Sequence, residues 1–223
     1  NRRRDGYGGS AENRVRFPAR VLAAVKEAVG KDLAVIAKIN VADGVPGGAT
    51  AEDGAITARA LEAAGADLLV LSAGRNVESV WFNVEEMSRM LRDSWIQRTA
   101  VKLAARSVPR GLEFREMYLL EYSRQIRAAV KMPLAYLGGV KSLANAHAAM
   151  REGFECIVMA RALIHDSGLV NKLQRGELTH SGCTSCNGCV AWIYDPAGTR
   201  CILNPPNDLS LNLQRASARA PGS

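Results

Sequence analysis

Three sets of residues in this chain of 223 have the types and spacing to do chemistry. The densest is Cys183, Cys186, Cys189 and Cys201, four of its five cysteines. Thiolates at these intervals can close a tetrahedral zinc site, hold a 4Fe–4S cluster, or stand as free thiols. So tight a grouping is not how disulfides are spread through a secreted domain, and it points to a reducing, cytoplasmic setting. The second set is Gly138-Gly139 together with Ala160-Arg161, each following a short apolar run. Paired glycines let backbone N–H groups approach a phosphate, and a helix opening near Ser142 adds its positive end. Arg161 can clamp phosphate oxygens through two N–H donors. Alone, either motif reads as a tight turn or a surface arginine; after consecutive strands the pair reads as a phosphate site. The third is Lys38, a lone charge in the apolar run 33–39. It needs a partner if buried, or snorkels if it lies at the strand end. Asn40 and Arg75 are further polar candidates at strand ends, while Trp81 and Phe82 read chiefly as packing. His147, His165 and His180 read as surface residues.

The elements that must position these groups alternate short apolar runs with amphipathic stretches, the pattern of βα units on a parallel sheet. Ser10 is placed to cap a helix over 10–29, with Glu12 in its first turn, Gly30 at its stop and Pro18 as a kink or restart. A strand is expected at 33–39 and a turn-rich loop at 43–48. A helix then runs from Thr50, capped with Asp53, to Gly65. Further strands fall at 67–71, 133–137 and 156–159, with helices at 84–92, 114–130, from Ser142 to Gly153, and 169–175. In the helix over 114–130, Met117, Leu120, Tyr122, Ile126 and Val130 are available to the core. Four strands, each followed by helix, make half of a (β/α)8 barrel, which needs eight strands and about 250 residues. The expected layout is an α/β partial barrel over 1–180, a cysteine-rich segment over 181–205 and a poorly ordered tail over 206–223.

The opening residues carry a pattern: Asn1, Arg3, Asp5, Tyr7-Gly8-Gly9-Ser10, Glu12-Asn13-Arg14 and Arg16-Phe17. This string resembles the signature of the old yellow enzyme family of NADH:flavin oxidoreductases, and the likeness extends over 1–205. The surroundings of Cys183–Cys201 are similar to the cluster segment of its dienoyl-CoA reductase-like branch, with one residue fewer between Cys186 and Cys189. In that family the signature sits near the middle of a TIM barrel, so the resemblance implies a C-terminal half-barrel whose front half lies upstream. It also implies FMN, a hydride donor (NADH or NADPH) and a small activated alkene as substrate, an enone or a dienoyl thioester. Lys38 would stand beside the reduced flavin ring. Gly138, Gly139, Ala160 and Arg161 would hold the flavin phosphate, with Ala160 where many relatives carry glycine. The substrate-anchoring histidine pair lies upstream of the signature in that family, so no catalytic residue is assigned here. The alternative is an inactive truncated product or a self-associating half-barrel that retains only metal binding.

Composition narrows the field further. A net charge of +7 invites nucleic acid, but the basic residues are scattered and no aromatic-interleaved basic ladder accompanies them. The longest apolar runs fall far short of the ~20 residues that span a membrane. A hydrophobic content of 48% and a charged content of 23% are those of an ordinary globular chain.

Overall fold

A computed structural model describes residues 3–74, 95, 96, 99, 103, 114–192 and 198–204. They divide into two compact units. The first holds 3–74, 114–140 and 144–158, and the second holds 141–143, 159–192, 198–204 and the described positions between 95 and 103.

In the first unit, the Ser10 hydroxyl accepts the Asn13 N–H at 3.3 Å and opens helix α1, Ala11–Val29. Gly30 closes it at a positive φ of 59° with ψ −130°, a conformation open chiefly to glycine, its N–H reaching the Lys26 carbonyl at 3.0 Å. Pro18 neither ends nor restarts α1; it removes only the N–H that would have reached the carbonyl of Arg14. Strand β1 spans Ile36–Asn40 and begins later than the apolar run suggests. The reason is a side-chain clamp. Asp67 accepts the Val35 N–H at 2.6 Å and the Lys26 ammonium at 2.6 and 2.8 Å, so this stretch is anchored before the ladder begins.

Thr50 and Asp53 form a reciprocal capping box at the start of α2, Ala51–Ala63, and β2 follows at Leu68–Ser72. Helix α3 covers only Leu120–Ala129, shorter than the 114–130 pattern. Residues 116–119 turn instead, with Met117 at φ 56°. The buried set shifts accordingly to Tyr118, Leu119, Ser123, Ile126 and Val130, while Met117, Leu120 and Tyr122 are half-buried. Strand β3 is Leu134–Leu137, α4 is Leu143–Arg151 and β4 is Cys156–Val158.

The four strands form one parallel sheet in the order β1-β2-β3-β4. Lys38 pairs in register with Val70, Val70 with Ala135, and Ala135 with Cys156. Side chains alternate across a strand, and one face carries the core: Ile39, Leu69, Leu71, Leu134 and Tyr136 are all buried. Helix α2 packs on α1, α3 and β1, and α3 also packs on β3. The opposite face is open at β1, where Ile36 is 59% exposed and Lys38 and Asn40 are exposed with it.

The second unit is built differently. Helices α5, Arg161–His165, and α6, Leu169–Gln174, meet over a small core of Ala162, Leu169 and Leu173. Helix α5 has no counterpart among the elements expected from the sequence. Asp166 ties the two together, accepting the Gly168 N–H at 2.9 Å and the Lys172 ammonium at 2.7 Å. A single 3-10 turn, Val190–Trp192, follows the cysteine loop. The expected helix at 84–92 and the expected tail over 206–223 lie outside the described residues. Among the described residues no helix is long and apolar enough to cross a membrane.

Candidate functional site

The C-terminal ends of the strands carry the first group of candidates. Lys38 is not in a covered strand, as its apolar neighbours suggest. Among the described residues strand β1 has β2 as its single strand neighbour, and Lys38 occupies the open face opposite buried Ile39. Its ammonium can therefore stay hydrated without a buried partner. Asn40 is committed to the fold: its amide donates to Asp43 Oδ1 at 3.0 Å and to the Gly74 carbonyl at 2.8 Å. These two bonds tie the β1 loop to the β2 loop. Asp43 Oδ2 accepts the Ala49 N–H at 2.9 Å and closes the β1–α2 loop. Arg75, Trp81 and Phe82 lie outside the described residues.

Gly138 and Gly139 follow β3 with φ values of 140° and 74°. At Gly139 a Cβ would stand 2.7 Å from the Arg115 carbonyl oxygen and 3.0 Å from the Met117 nitrogen. This glycine is therefore required by the fold, because the backbone of 115–117 fills the space a side chain would take. Tyr136, fully buried on β3, donates its hydroxyl to the Gly138 carbonyl at 2.9 Å, and burial raises the pKa of that hydroxyl. Sequence reasoning misses Tyr136 as a holder of this turn; an aromatic hydroxyl two residues before paired glycines is the available signal.

The opening signature proves to be a clasp around the start of α1. Asp5 receives the Arg3 guanidinium and, at 3.1 Å, the Tyr7 N–H; the Arg3 hydrogen bond holds its carboxyl at about 2. The Asn13 amide donates to the Gly8 carbonyl at 3.1 Å, Arg16 donates to Asn13 Oδ1 at 2.8 Å, and Arg20 donates to the Tyr7 hydroxyl. Arg14 crosses to Asp53 on α2 at 2.6 Å. Between α1, α2 and the β1–α2 loop lies an open cavity of about 510 Å³, edged by Arg14, Asp43, Asp53 and Thr57.

The second unit holds Ala160 and Arg161 at the start of α5, and the cysteines. Arg161 is half-buried and donates through Nη1 to Asn187 Oδ1. Cys183, Cys189 and Cys201 are buried and Cys186 is half-buried. His165 is half-buried: its Nδ1 lies 3.3 Å from Cys201 Sγ, and Asn204 donates to its carbonyl at 2.6 Å. Burial pushes the Cys189 thiol up, opposed by the positive charge of Arg161 and assisted by the neighbouring Cys183 and Cys201. Among the described residues no group of three or more His, Cys, Asp or Glu side chains is arranged to hold a metal ion. For phosphate the donor chemistry is suitable in each segment taken separately. The Gly138-Gly139 turn carries backbone N–H groups without side chains, and Arg161 carries a guanidinium with five N–H donors.

Comparison with known proteins adds a family. A profile described as the NADH:flavin oxidoreductase / NADH oxidase family matches residues 1–179. The chain is 37% identical over 221 residues to a 4,4'-dithiodibutanoate disulfide reductase of Rhodococcus erythropolis, covering 91% of this chain and 51% of that protein. It therefore spans about half the length of that relative. A solved 2-naphthoyl-CoA reductase complex superimposes with a TM-score of 0.70 at 24% identity, covering 95% of this chain and 29% of the other. An old yellow enzyme homologue from Zymomonas mobilis superimposes at 0.55 with 18% identity, over 92% and 46% of the two chains. These likenesses, with the parallel sheet and alternating helices, make the architecture that of a partial (β/α)8 barrel.

Proposed function

Since the chain belongs to the NADH:flavin oxidoreductase / NADH oxidase family, that of the old yellow enzymes, we propose that it supplies the phosphate-holding part of an FMN-dependent oxidoreductase. The full reaction would move hydride from NADH or NADPH to an activated alkene. The observation that carries this reading is the family match over 1–179, which includes the Gly138-Gly139 turn and Arg161. FMN, when bound, supplies the two-electron carrier between nicotinamide and substrate. The chain's own residues have simpler tasks. Gly138 and Gly139 would offer backbone N–H groups to a phosphate, and Ala160-Arg161, in the other unit, would offer a guanidinium, each by the family resemblance. Lys38 sets a positive charge on the open face of β1, where it would favour an electron-rich flavin ring. The metal reading of Cys183, Cys186, Cys189 and Cys201 enters no step.

The test is flavin uptake by the purified chain. The expected result is quenching of flavin fluorescence on titration, with FMN bound more tightly than riboflavin, and bleaching of the bound flavin on addition of NADH. A chain that takes up no FMN, or that does not distinguish it from riboflavin, overturns the reading.

One observation favours a second reading, self-association of a half-barrel. Ile36, Leu33 and Phe17 are 59%, 63% and 64% exposed, and β1 and β4 each have a single strand neighbour among the described residues. Unpaired strand edges beside exposed apolar side chains invite pairing with another copy. Sedimentation of the chain as a monomer at tens of micromolar would exclude it.

A further inference from the structure

The Arg161–Asn187 hydrogen bond joins the start of α5 to the cysteine loop, two segments far apart in sequence. We infer that Asn187 is a positioning residue: it holds the Arg161 guanidinium in place for a phosphate while leaving its charge intact. The inference rests on the reading of Arg161 as a phosphate ligand and deepens it.

Three features carry it. First, Asn187 is 8% exposed and its backbone is fixed in a left-handed turn (φ 60°), with its carbonyl accepting the Val190 N–H at 2.8 Å. The acceptor is thus attached to a defined backbone rather than to a free loop. Asparagine tolerates this conformation better than most residues. Second, arginine is a long side chain with many rotamers, and anchoring one nitrogen removes much of that freedom before a ligand arrives. The guanidinium is planar with five donors, so fixing Nη1 aims the rest of the fork. Third, the acceptor is a neutral amide oxygen. A carboxylate at the same place would pair with Arg161 and stand as a second anion beside a phosphate. An amide holds the arginine without that competition. The cysteine loop thereby gains a role that needs no metal: it supports the arginine through Asn187.

The test compares FMN with riboflavin, which lacks the phosphate, in fluorescence titrations of the full chain and three variants. Asn187→Gly keeps the left-handed backbone and removes the acceptor. Asn187→Asp keeps the shape and adds the charge, and Arg161→Ala removes the donor. Loss of one hydrogen bond corresponds to about three- to tenfold in affinity. Asn187→Gly should therefore weaken FMN by about that factor, and Asn187→Asp should weaken it more. Riboflavin affinity should stay within about twofold throughout. A purely structural role for Asn187 would weaken both flavins together, and that result overturns the inference. So does full FMN preference in Asn187→Gly when Arg161→Ala has lost it. If Arg161→Ala itself keeps the preference, the phosphate reading of Arg161 fails and the inference fails with it. Because Asn187→Asp is nearly isosteric, it keeps the comparison open if Asn187→Gly folds poorly.

Discussion

Replacing Gly139 by alanine should destabilise the first unit for two separable reasons. The residue sits at φ 74°, where an alanine costs about 1–2 kcal/mol relative to its ordinary conformations. Its new Cβ would also stand 2.7 Å from the Arg115 carbonyl oxygen, a backbone atom that cannot rotate away. Forcing extra volume into such a place costs about 1–3 kcal/mol more. The total is about 2–5 kcal/mol, a large part of the ~5–15 kcal/mol that holds a typical domain together. Gly47 separates the two contributions. It lies in the same unit at φ 70°, in the turn closed by the Gly48 N–H on the Val45 carbonyl at 3.0 Å, and a methyl group added there would meet no atom within 4 Å. Gly47→Ala should therefore carry only the conformational part, about 1–2 kcal/mol. Urea unfolding followed by far-ultraviolet circular dichroism measures both as shifts of the midpoint at constant slope. Equal losses in the two variants would refute the claim that backbone contact, rather than conformation, dictates glycine at 139.

Three other outcomes follow from the geometry. Asp5, held at about 2 chiefly by its hydrogen bond from Arg3, should stay ionised when free carboxylates have protonated. Its contribution is complete above the unfolded aspartate value near 4 and is lost as pH falls through about 2; a carboxyl titration by NMR at the ordinary value would contradict the clasp. Ser123 is fully buried on α3, and among the described residues its hydroxyl has no hydrogen-bond partner. Ser123→Ala should thus be neutral or stabilising by about 1 kcal/mol in a thermal melt, and a clear loss would show that the hydroxyl is satisfied. Cys156 is exposed whereas Cys183, Cys189 and Cys201 are buried, so a thiol reagent under native conditions should label Cys156 first. Early labelling of Cys189, whose thiol burial has raised, would contradict the buried arrangement.

What is legible in the sequence is what is decided locally. Ser10 and Gly30 delimit α1, and Thr50 with Asp53 starts α2, because a cap acts within one turn of its own residue. The strands show as apolar runs because three of the four present a buried face. The turn at 116–119 is not legible, because its shape fits the Gly138-Gly139 backbone and not its own helical pattern. The Lys38 environment depends on β1 having a single strand neighbour among the described residues, a property of the sheet rather than of the run 33–39. The His165–Cys201 and Arg161–Asn187 contacts join residues far apart in the chain, so neither motif announces the other. The signature at the start is recognisable as a pattern, yet its residues serve each other as hydrogen-bond partners.

The strand order has an entropic consequence. Each strand pairs with its neighbour in sequence, so every pairing closes a loop, and closing a longer loop is less favourable. The register partners Ala135 and Cys156 are nearest in sequence, Ala37 and Leu69 come next, and Leu69 and Leu134 are far the most distant. On loop closure alone, the β2–β3 seam is therefore the costliest of the three pairings to close, and β1–β2 and β3–β4 are the two that can form as local βαβ units.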